Sequence, residues 1–173
     1  PKSLLDRSVV DGSVFSGVTI SMHISDGVLP TAVSMGTYLF SFGMAAWSLK
    51  SMNNDDLPKA AVVTSSFFVA SLIHLPFGPT SVHLLLPGVV GALLGPVAFL
   101  AIFLGLFLQC ILFQFGGLTA LGANGIMMGL PALLCGILFR TFRGKTLLSN
   151  TLVGAVCGGL GTALSATFLA LLL

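Results

Sequence analysis

The sequence predicts an all-α fold, a polytopic transmembrane helix bundle of about six membrane segments, some of them short or broken. Composition is the first reason: 55% of the residues are hydrophobic, only 7% are charged and the mean hydropathy is +1.07. A soluble domain carries about 25% charged residues. Segment length is the second reason, because the 173 residues divide into apolar runs near the ~20 residues that a membrane-spanning helix needs.

Polar turns and prolines delimit the first two segments. Residues 30–49 are mostly apolar and end in the polar turn 51–56. Pro58 suits the first turn of a second helix over 58–75, because the amide proton that it lacks is not needed there. Pro76 ends that segment, since proline cannot continue a helix.

Glycine, proline and basic residues separate the remaining four segments. A loop rich in proline and small hydroxyl residues leads into the third segment, which is short. Pro96 opens the fourth, a double glycine at 116–117 precedes the fifth, and a basic loop at 140–145 precedes the sixth. These four predicted segments are 83–95, 96–115, 119–139 and 147–173.

Basic residues predict the orientation of the bundle. Lys50 and Lys59 flank the first loop. The last loop holds three further basic residues, Arg140, Arg143 and Lys145. The positive-inside rule places both loops in the cytoplasm. With alternate crossings, the outer face then receives the loops at 22–30, 77–83 and 116–118.

The segment 22–30, Met-His-Ile-Ser-Asp-Gly-Val-Leu-Pro, is the strongest candidate site. If the chain begins at Met22, its terminal amine, the His23 backbone nitrogen and the His23 imidazole can chelate one metal ion. Such a planar, all-nitrogen arrangement suits Ni(II) or Cu(II). The alternative is a histidine that lies at the membrane interface or caps a helix. Asp26 either hydrogen-bonds the backbone or the His23 ring, or forms a turn with Gly27.

A second histidine, His83, lies at the predicted outer mouth between the second and third segments. A buried imidazole in a bundle is costly unless it is paired or binds a metal, so His83 is either a ligand or a polar helix cap. Thr80 and Ser81 can hold its ring by hydrogen bonds. His74 is a third ligand, an orienting group or an interhelical hydrogen-bonding residue. Asn124 hydrogen-bonds either a ligand or another helix.

Several function classes lack support in the sequence. The chain has no serine-hydrolase, zinc-protease or Walker motif, so we expect no enzymatic activity, no cofactor, and ATP hydrolysis only in partners. The formal charge of +2 is too small to indicate nucleic-acid binding. The three cysteines lie in apolar runs and are interpreted as packing residues; they are Cys110, Cys135 and Cys157.

Residues 1–21 are polar and are predicted to lie outside the transmembrane metal-capture domain, 22–173. They lack the apolar core of a secretory signal peptide. We interpret them as a polar leader, a tag remnant or a misread segment upstream of a start at Met22.

Three motifs occur in order along the chain. They are the segment 22–30, Gly-Pro-Thr-Ser-Val-His at 78–83, and Phe-Gln-Phe-Gly-Gly-Leu-Thr-Ala-Leu-Gly-Ala-Asn at 113–124. Together they resemble the CbiM/NikM family, the substrate-capture (S) components of energy-coupling-factor (ECF) transporters for cobalt and nickel. The similarity runs from Met22 to about Lys145, and it is specific because three separated motifs share one order.

The resemblance implies a square-planar site whose ligands are the Met22 amine, the His23 amide nitrogen, the His23 ring and the His83 ring. It implies Co²⁺ or Ni²⁺ as the transported ligand, for cobalamin synthesis or nickel enzymes. The implied partners are a transmembrane coupling (T) protein, cytoplasmic ATPase subunits and, in many systems, a small accessory membrane protein. The implied location is the prokaryotic inner (plasma) membrane, with the metal site toward the outer face.

The chain departs from the family pattern at both ends. While Ser21 precedes Met22, the Met22 nitrogen is an amide and not an amine, so we expect the functional form to begin at Met22. Family members usually continue further, so a final segment is expected to be missing after Leu173. Two rival functions stay open, a metal-independent membrane scaffold and an ECF capture subunit for an organic vitamin. A vitamin would need a pocket lined with aromatic residues. Among the Phe, Tyr and Trp residues, only Trp47 and Tyr38 have rings that also carry a hydrogen-bonding group.

The position of the amino terminus gives a first test. A chain that begins at Met22 should bind Ni²⁺ at least about tenfold more tightly than the same chain with residues 1–21 attached, because the chelate needs a basic amine. Isothermal titration of both purified forms measures this ratio. Equal affinity in the two forms would refute the chelate.

Overall fold

The described part of the chain is a bundle of six helices with one short β-hairpin. The structure is a computed structural model that describes residues 24, 27, 29–77, 80–83, 87–114 and 116–172. In chain order its elements are α1 (Thr31–Lys50), α2 (Leu57–Leu72), β1 (His74–Phe77), β2 (Thr80–His83), α3 (Pro87–Leu94), α4 (Ala98–Phe113), α5 (Leu121–Phe142) and α6 (Leu147–Leu172). Short 3-10 turns precede α2 and α4. The predicted helical, transmembrane fold class is confirmed.

Three helical runs in the described residues are long and apolar enough to cross a membrane. They are Pro87–Phe113, Leu121–Phe142 and Leu147–Phe168. The helices α1 and α2 cover the first two predicted segments. Compared with the three runs, α1 is less apolar and α2, with 16 residues, is shorter. In α1 the reason is its buried stripe of small, mostly hydroxyl-bearing residues, which are Ser34, Thr37, Ser41, Ala45 and Ser48. Small residues let membrane helices approach closely.

The run Pro87–Phe113 contains two segments, because the chain turns back at Gly95. Gly91 on α3 packs against the backbone of Ala132. Gly95, which directly follows α3, packs against the Arg140 guanidinium. The helix α3 therefore advances in the same direction as α5. Gly95 has φ +59°, a left-handed conformation that favours glycine.

The helix α4 runs in the opposite direction along α5. Phe103 lies against Gly125, and Phe99, one turn earlier, lies against Gly129. The chain thus descends through α3, reverses at the turn Gly95–Val97 and ascends through α4. The predicted third and fourth segments are therefore separate, and only eight residues of the third are helical.

The loop predicted before the third segment is instead part of an antiparallel hairpin. In β1 and β2 the backbone register pairs His74 with His83 and Phe77 with Thr80. The prediction of a helix up to residue 75 was wrong, since α2 ends at Leu72. Pro76 explains this, because proline blocks helix propagation and disfavours helical dihedrals at the residue before it.

The helix α5 is the centre of the bundle and packs against α1, α3, α4 and α6. Its glycines allow this, because each lies directly against a neighbour: Gly122 contacts the α1 backbone at Tyr38, and Gly136 contacts that of α3 at Gly91. Van der Waals contact is a main source of helix association in lipid, where hydrophobic exclusion from water is absent.

The loops divide into two groups, one at each end of the bundle. At one end, Ser48 near the end of α1 donates a hydrogen bond to the Pro96 carbonyl at 2.8 Å, and Arg140 near the end of α5 reaches Gly95. The opposite end holds Ile24, Gly27 and Leu29 together with residues 116–120. This grouping agrees with the sequence-based topology, in which the first end is cytoplasmic; the side of the membrane stays a prediction.

A matched pair of glycine substitutions tests the packing. Gly91→Ala should destabilise the bundle by about 1–3 kcal/mol, because overpacking forces helices apart and the new Cβ would lie 1.9 Å from the Ala132 carbonyl oxygen. Gly36→Ala on α1 is the control, since its Cβ would meet no atom within 4 Å. Thermal unfolding in detergent measures both, and equal melting temperatures would contradict the packing of α3 on α5.

Candidate functional site

The predicted site residues divide between described and undescribed parts of the chain. Met22, His23 and Asp26 lie outside the described residues. Ile24, which directly follows His23, is described and only 3% exposed. The chain next to the predicted chelate is therefore inside the bundle, not on its surface.

Asn124 holds the backbone of Ile24 at both of its polar groups. The Ile24 amide donates to Asn124 Oδ1 at 2.8 Å, and Asn124 Nδ2 donates to the Ile24 carbonyl at 3.0 Å. A side-chain amide provides one acceptor and two donors, so it can pair with a backbone residue as a β-strand would. Asn124 is itself 2% exposed. Its partner is the segment that carries His23, not another helix.

Further contacts fix the same segment on the start of α5. Ile24 packs with Leu29 against Ala120 and Ala123. The Gly27 amide donates to Thr119 Oγ1 at 3.4 Å. Gly27 has φ +81° in a turn, which agrees with the predicted Asp26–Gly27 turn at the glycine.

Hydroxyl groups of α1 attach that helix to the same region. Ser34 Oγ donates to the Thr119 carbonyl, and the Tyr38 hydroxyl donates to the Leu118 carbonyl. One turn further, Ser41 Oγ donates to the Gly122 carbonyl at 2.7 Å. These carbonyls lie just before the start of α5 or in its first turn, so the α1 hydroxyls bond to the beginning of that helix. The buried stripe of α1 therefore bonds to the same stretch of chain that contacts Ile24 and Gly27.

The hairpin places the other predicted residues at defined register positions. His74 and His83 are directly opposite each other, and such partners lie on the same face of a two-stranded ribbon with Cα atoms about 4.5–5.5 Å apart. Because faces alternate along a strand, Ser81 shares the face of His83, whereas Thr80 lies on the other face.

The hairpin and the Ile24 segment lie at the same end of the bundle. The hairpin follows α2, and α2 runs alongside α4: Phe67 lies against Gly105, and the rings of Phe68 and Phe113 are 5.9 Å apart. Beyond Phe113 the chain continues into the loop that leads to Asn124. Ile24 and the hairpin therefore lie at one end of the bundle.

Gln109 is a buried polar residue of α4 that was not among the predicted site residues. It is 1% exposed on α4, and its Nε2 has no hydrogen-bond partner among the described residues. An unpaired buried amide costs about 1–3 kcal/mol. Its position one turn before the end of α4 puts it in the same half of the bundle as Asn124.

The profile of one known family matches most of the chain. The profile of the CbiM family, described as the cobalt uptake substrate-specific transmembrane region, matches residues 23–173. The chain belongs to this family. The matched range includes the Asn124 clamp, meaning Asn124 with its two hydrogen bonds to Ile24, and the hairpin.

Relatives of this CbiM-family chain come from bacteria and archaea. A Haemophilus influenzae protein named for metal transport is 40% identical over 120 residues, 69% of this chain and 58% of that protein. The fused nickel transport protein NikMN of Rhodobacter capsulatus is 35% identical over 62% of this chain and 33% of its own length. The cobalt transport protein CbiM of Thermosynechococcus vestitus is 31% identical over 73% and 51%. The chain thus spans about half the length of the curated relatives it matches.

A solved structure supports the fold. The crystal structure of a truncated transition metal transporter superposes with a TM-score of 0.67 at 24% identity, covering 85% of this CbiM-family chain and 73% of that protein. At that identity the similarity establishes the membrane helix bundle only.

Asn124 provides the sharpest test of the site geometry. Asn124→Ala should leave the buried Ile24 amide and carbonyl unpaired, costing about 1–3 kcal/mol, and should speed hydrogen exchange of residues 24–30. Asn150→Ala on α6 is the control, because the Asn150 Oδ1 has no partner among the described residues. Hydrogen-exchange mass spectrometry compares the two variants. Unchanged exchange in Asn124→Ala would mean that the clamp does not hold this segment.

Proposed function

We propose that this chain is the substrate-specific membrane component of an ECF transporter and captures Co²⁺ or Ni²⁺ for import. The family profile, named for cobalt uptake, and relatives named for cobalt or nickel transport support this assignment. The observation that carries it is the Asn124 clamp. It holds the residue after His23 within the bundle, at the end that also bears His83.

The proposed ligands are the Met22 amine, the His23 amide nitrogen, the His23 ring and the His83 ring. In a chain that begins at Met22, Ile24 is the third residue, so the clamp fixes the backbone immediately after the chelating dipeptide. Preorganisation of this kind reduces the ordering that binding must otherwise impose. A site on packed elements is also held more rigidly than one on a free terminus.

His74 is proposed to support His83 from the opposite strand. Its register position suits a hydrogen bond to the metal-bound imidazole or an additional nitrogen ligand. A planar set of four nitrogens favours Ni²⁺ and Cu²⁺, whereas further ligands favour other geometries. Ser81, on the same face as His83, is proposed to orient its ring, and Asp26 is proposed as a further hydrogen-bonding residue. Thr80 lies on the other face of the strand and is not proposed to contact the ring.

Energy for transport is proposed to come from partners, because the sequence has no Walker motif. The partners are a transmembrane coupling (T) protein, cytoplasmic ATPase subunits and, as in many such systems, a small accessory membrane protein. The location is the prokaryotic inner (plasma) membrane, with the clamp toward the outer face. Imported metal would serve cobalamin synthesis or nickel enzymes.

The vitamin alternative is less well supported by the position of the aromatic residues. The Tyr38 hydroxyl donates to the Leu118 carbonyl at the end with the clamp. Trp47 lies more than two turns further along α1 and lines a cavity at the other end. The two rings therefore do not share one pocket. The scaffold alternative predicts histidines that only join helices.

Metal content of purified variants tests the proposal. The chain that begins at Met22 should carry one Co²⁺ or Ni²⁺ ion, and His23→Ala and His83→Ala should each lower its affinity at least about tenfold, because each removes a ligand. Mass spectrometry measures the stoichiometry, with melting temperature as the folding control. His74→Ala should retain the metal with altered preference between Co²⁺ and Ni²⁺. Unchanged metal content in both ligand variants would favour the scaffold.

A further inference from the structure

A groove open to the membrane lies at the end of the bundle opposite the Asn124 clamp. It is a cavity of about 570 Å³ bounded by α1, the turn before α4, α5 and α6. Its lining is apolar except for one charged side chain, Arg140. The groove takes no part in the proposed metal capture, since it shares no residue with that site.

The groove extends from one membrane interface to about the middle of the bilayer. Leu130 and Arg140 mark its two ends on α5, and at 1.5 Å per residue this part of the helix rises about 15 Å. The hydrocarbon core is about 30 Å thick, so the groove matches the depth of one leaflet. Trp47 lies beside the charged end, and tryptophan favours the interface.

Arg140 has no partner among the described residues. It makes no hydrogen bond or ion pair there, and its guanidinium instead lies against Gly95, where a Cβ would come within 2.6 Å. The carboxylate of Asp56 is engaged by Asn53 in the other loop of this end. Arg143 and Lys145 follow Arg140 closely, so basic residues gather at this end of the groove.

We propose that this groove binds one anionic phospholipid from the leaflet at the Arg140 end. One acyl chain occupies the apolar groove, and the phosphate accepts hydrogen bonds from the Arg140 guanidinium, whose planar fork fits phosphate oxygens. Basic pockets between membrane helices on the cytoplasmic side bind anionic headgroups in this way. Gly95 contributes by its lack of a side chain, which leaves room for the guanidinium.

The lipid would join parts of the protein that contact each other little. Only 17% of the spanning part of α6 is buried, compared with 72% for α5. Phe168 of α6 and Met44 of α1 lie on different walls of the groove. An acyl chain between them adds contact area to α6, so bound lipid should raise the melting temperature of the protein.

Native mass spectrometry of the full chain tests the proposal. Delipidated protein is mixed with palmitoyl-oleoyl phosphatidylglycerol or phosphatidylcholine, and the retained lipid is counted. Wild type should retain one phosphatidylglycerol and prefer it about fivefold over phosphatidylcholine. Arg140→Gln should lose this preference, whereas Arg143→Gln, outside the groove, should keep most of it. Excess inorganic phosphate should not displace the lipid.

A second variant tests the apolar part of the site separately. Ile137→Trp fills the groove one turn from Arg140 and should reduce retention of both lipids. Retention of phosphatidylglycerol by Arg140→Gln at the wild-type level would overturn the proposal and leave the groove to a partner helix. Displacement by inorganic phosphate, or an equal loss in Arg143→Gln, would also overturn it.

Discussion

The pairing of the Asn124 amide with the Ile24 backbone organises one end of the helix bundle, the end where α5 begins. Irregular backbone inside a membrane protein is tolerated only if its polar groups are satisfied, because lipid offers no hydrogen bonds. Asn124 satisfies both groups of Ile24 at once. The chain at Ile24 can therefore lie inside the bundle although this residue belongs to neither a helix nor a strand.

The same helix, α5, organises the opposite end by a different kind of contact. There its partners approach through glycines and not through polar groups, since Gly136 and Gly91 bring the α5 and α3 backbones together. This close approach depends on the reversal at Gly95, because a straight run from 87 to 113 could not place α3 and α4 in opposite directions along α5. One helix thus supports a polar site at one end and a tight apolar junction at the other.

The sequence predicted those features that have local signals. Pro96 and the double glycine at 116–117 marked real chain reversals, and basic residues grouped the loops correctly. The hairpin was missed because Pro76 and a neighbouring glycine and proline indicate a loop, while strand pairing is a hydrogen-bond property that composition does not encode. The partner of Asn124 was equally hidden, since Ile24 is 100 residues away and is an ordinary apolar residue.

The shortness of α3 has a consequence for the backbone that precedes it. Eight helical residues rise only about 12 Å, less than half of the ~30 Å hydrocarbon core. The described backbone nearest before the first residue of α3, Pro87, is that of the strand β2, which ends at His83. Such backbone occurs at membrane depth only where protein buries it or water reaches it. An α3 that starts partway through the bilayer therefore needs hydrogen-bond partners for the strand backbone next to it, and the pairing of β2 with β1 supplies part of them.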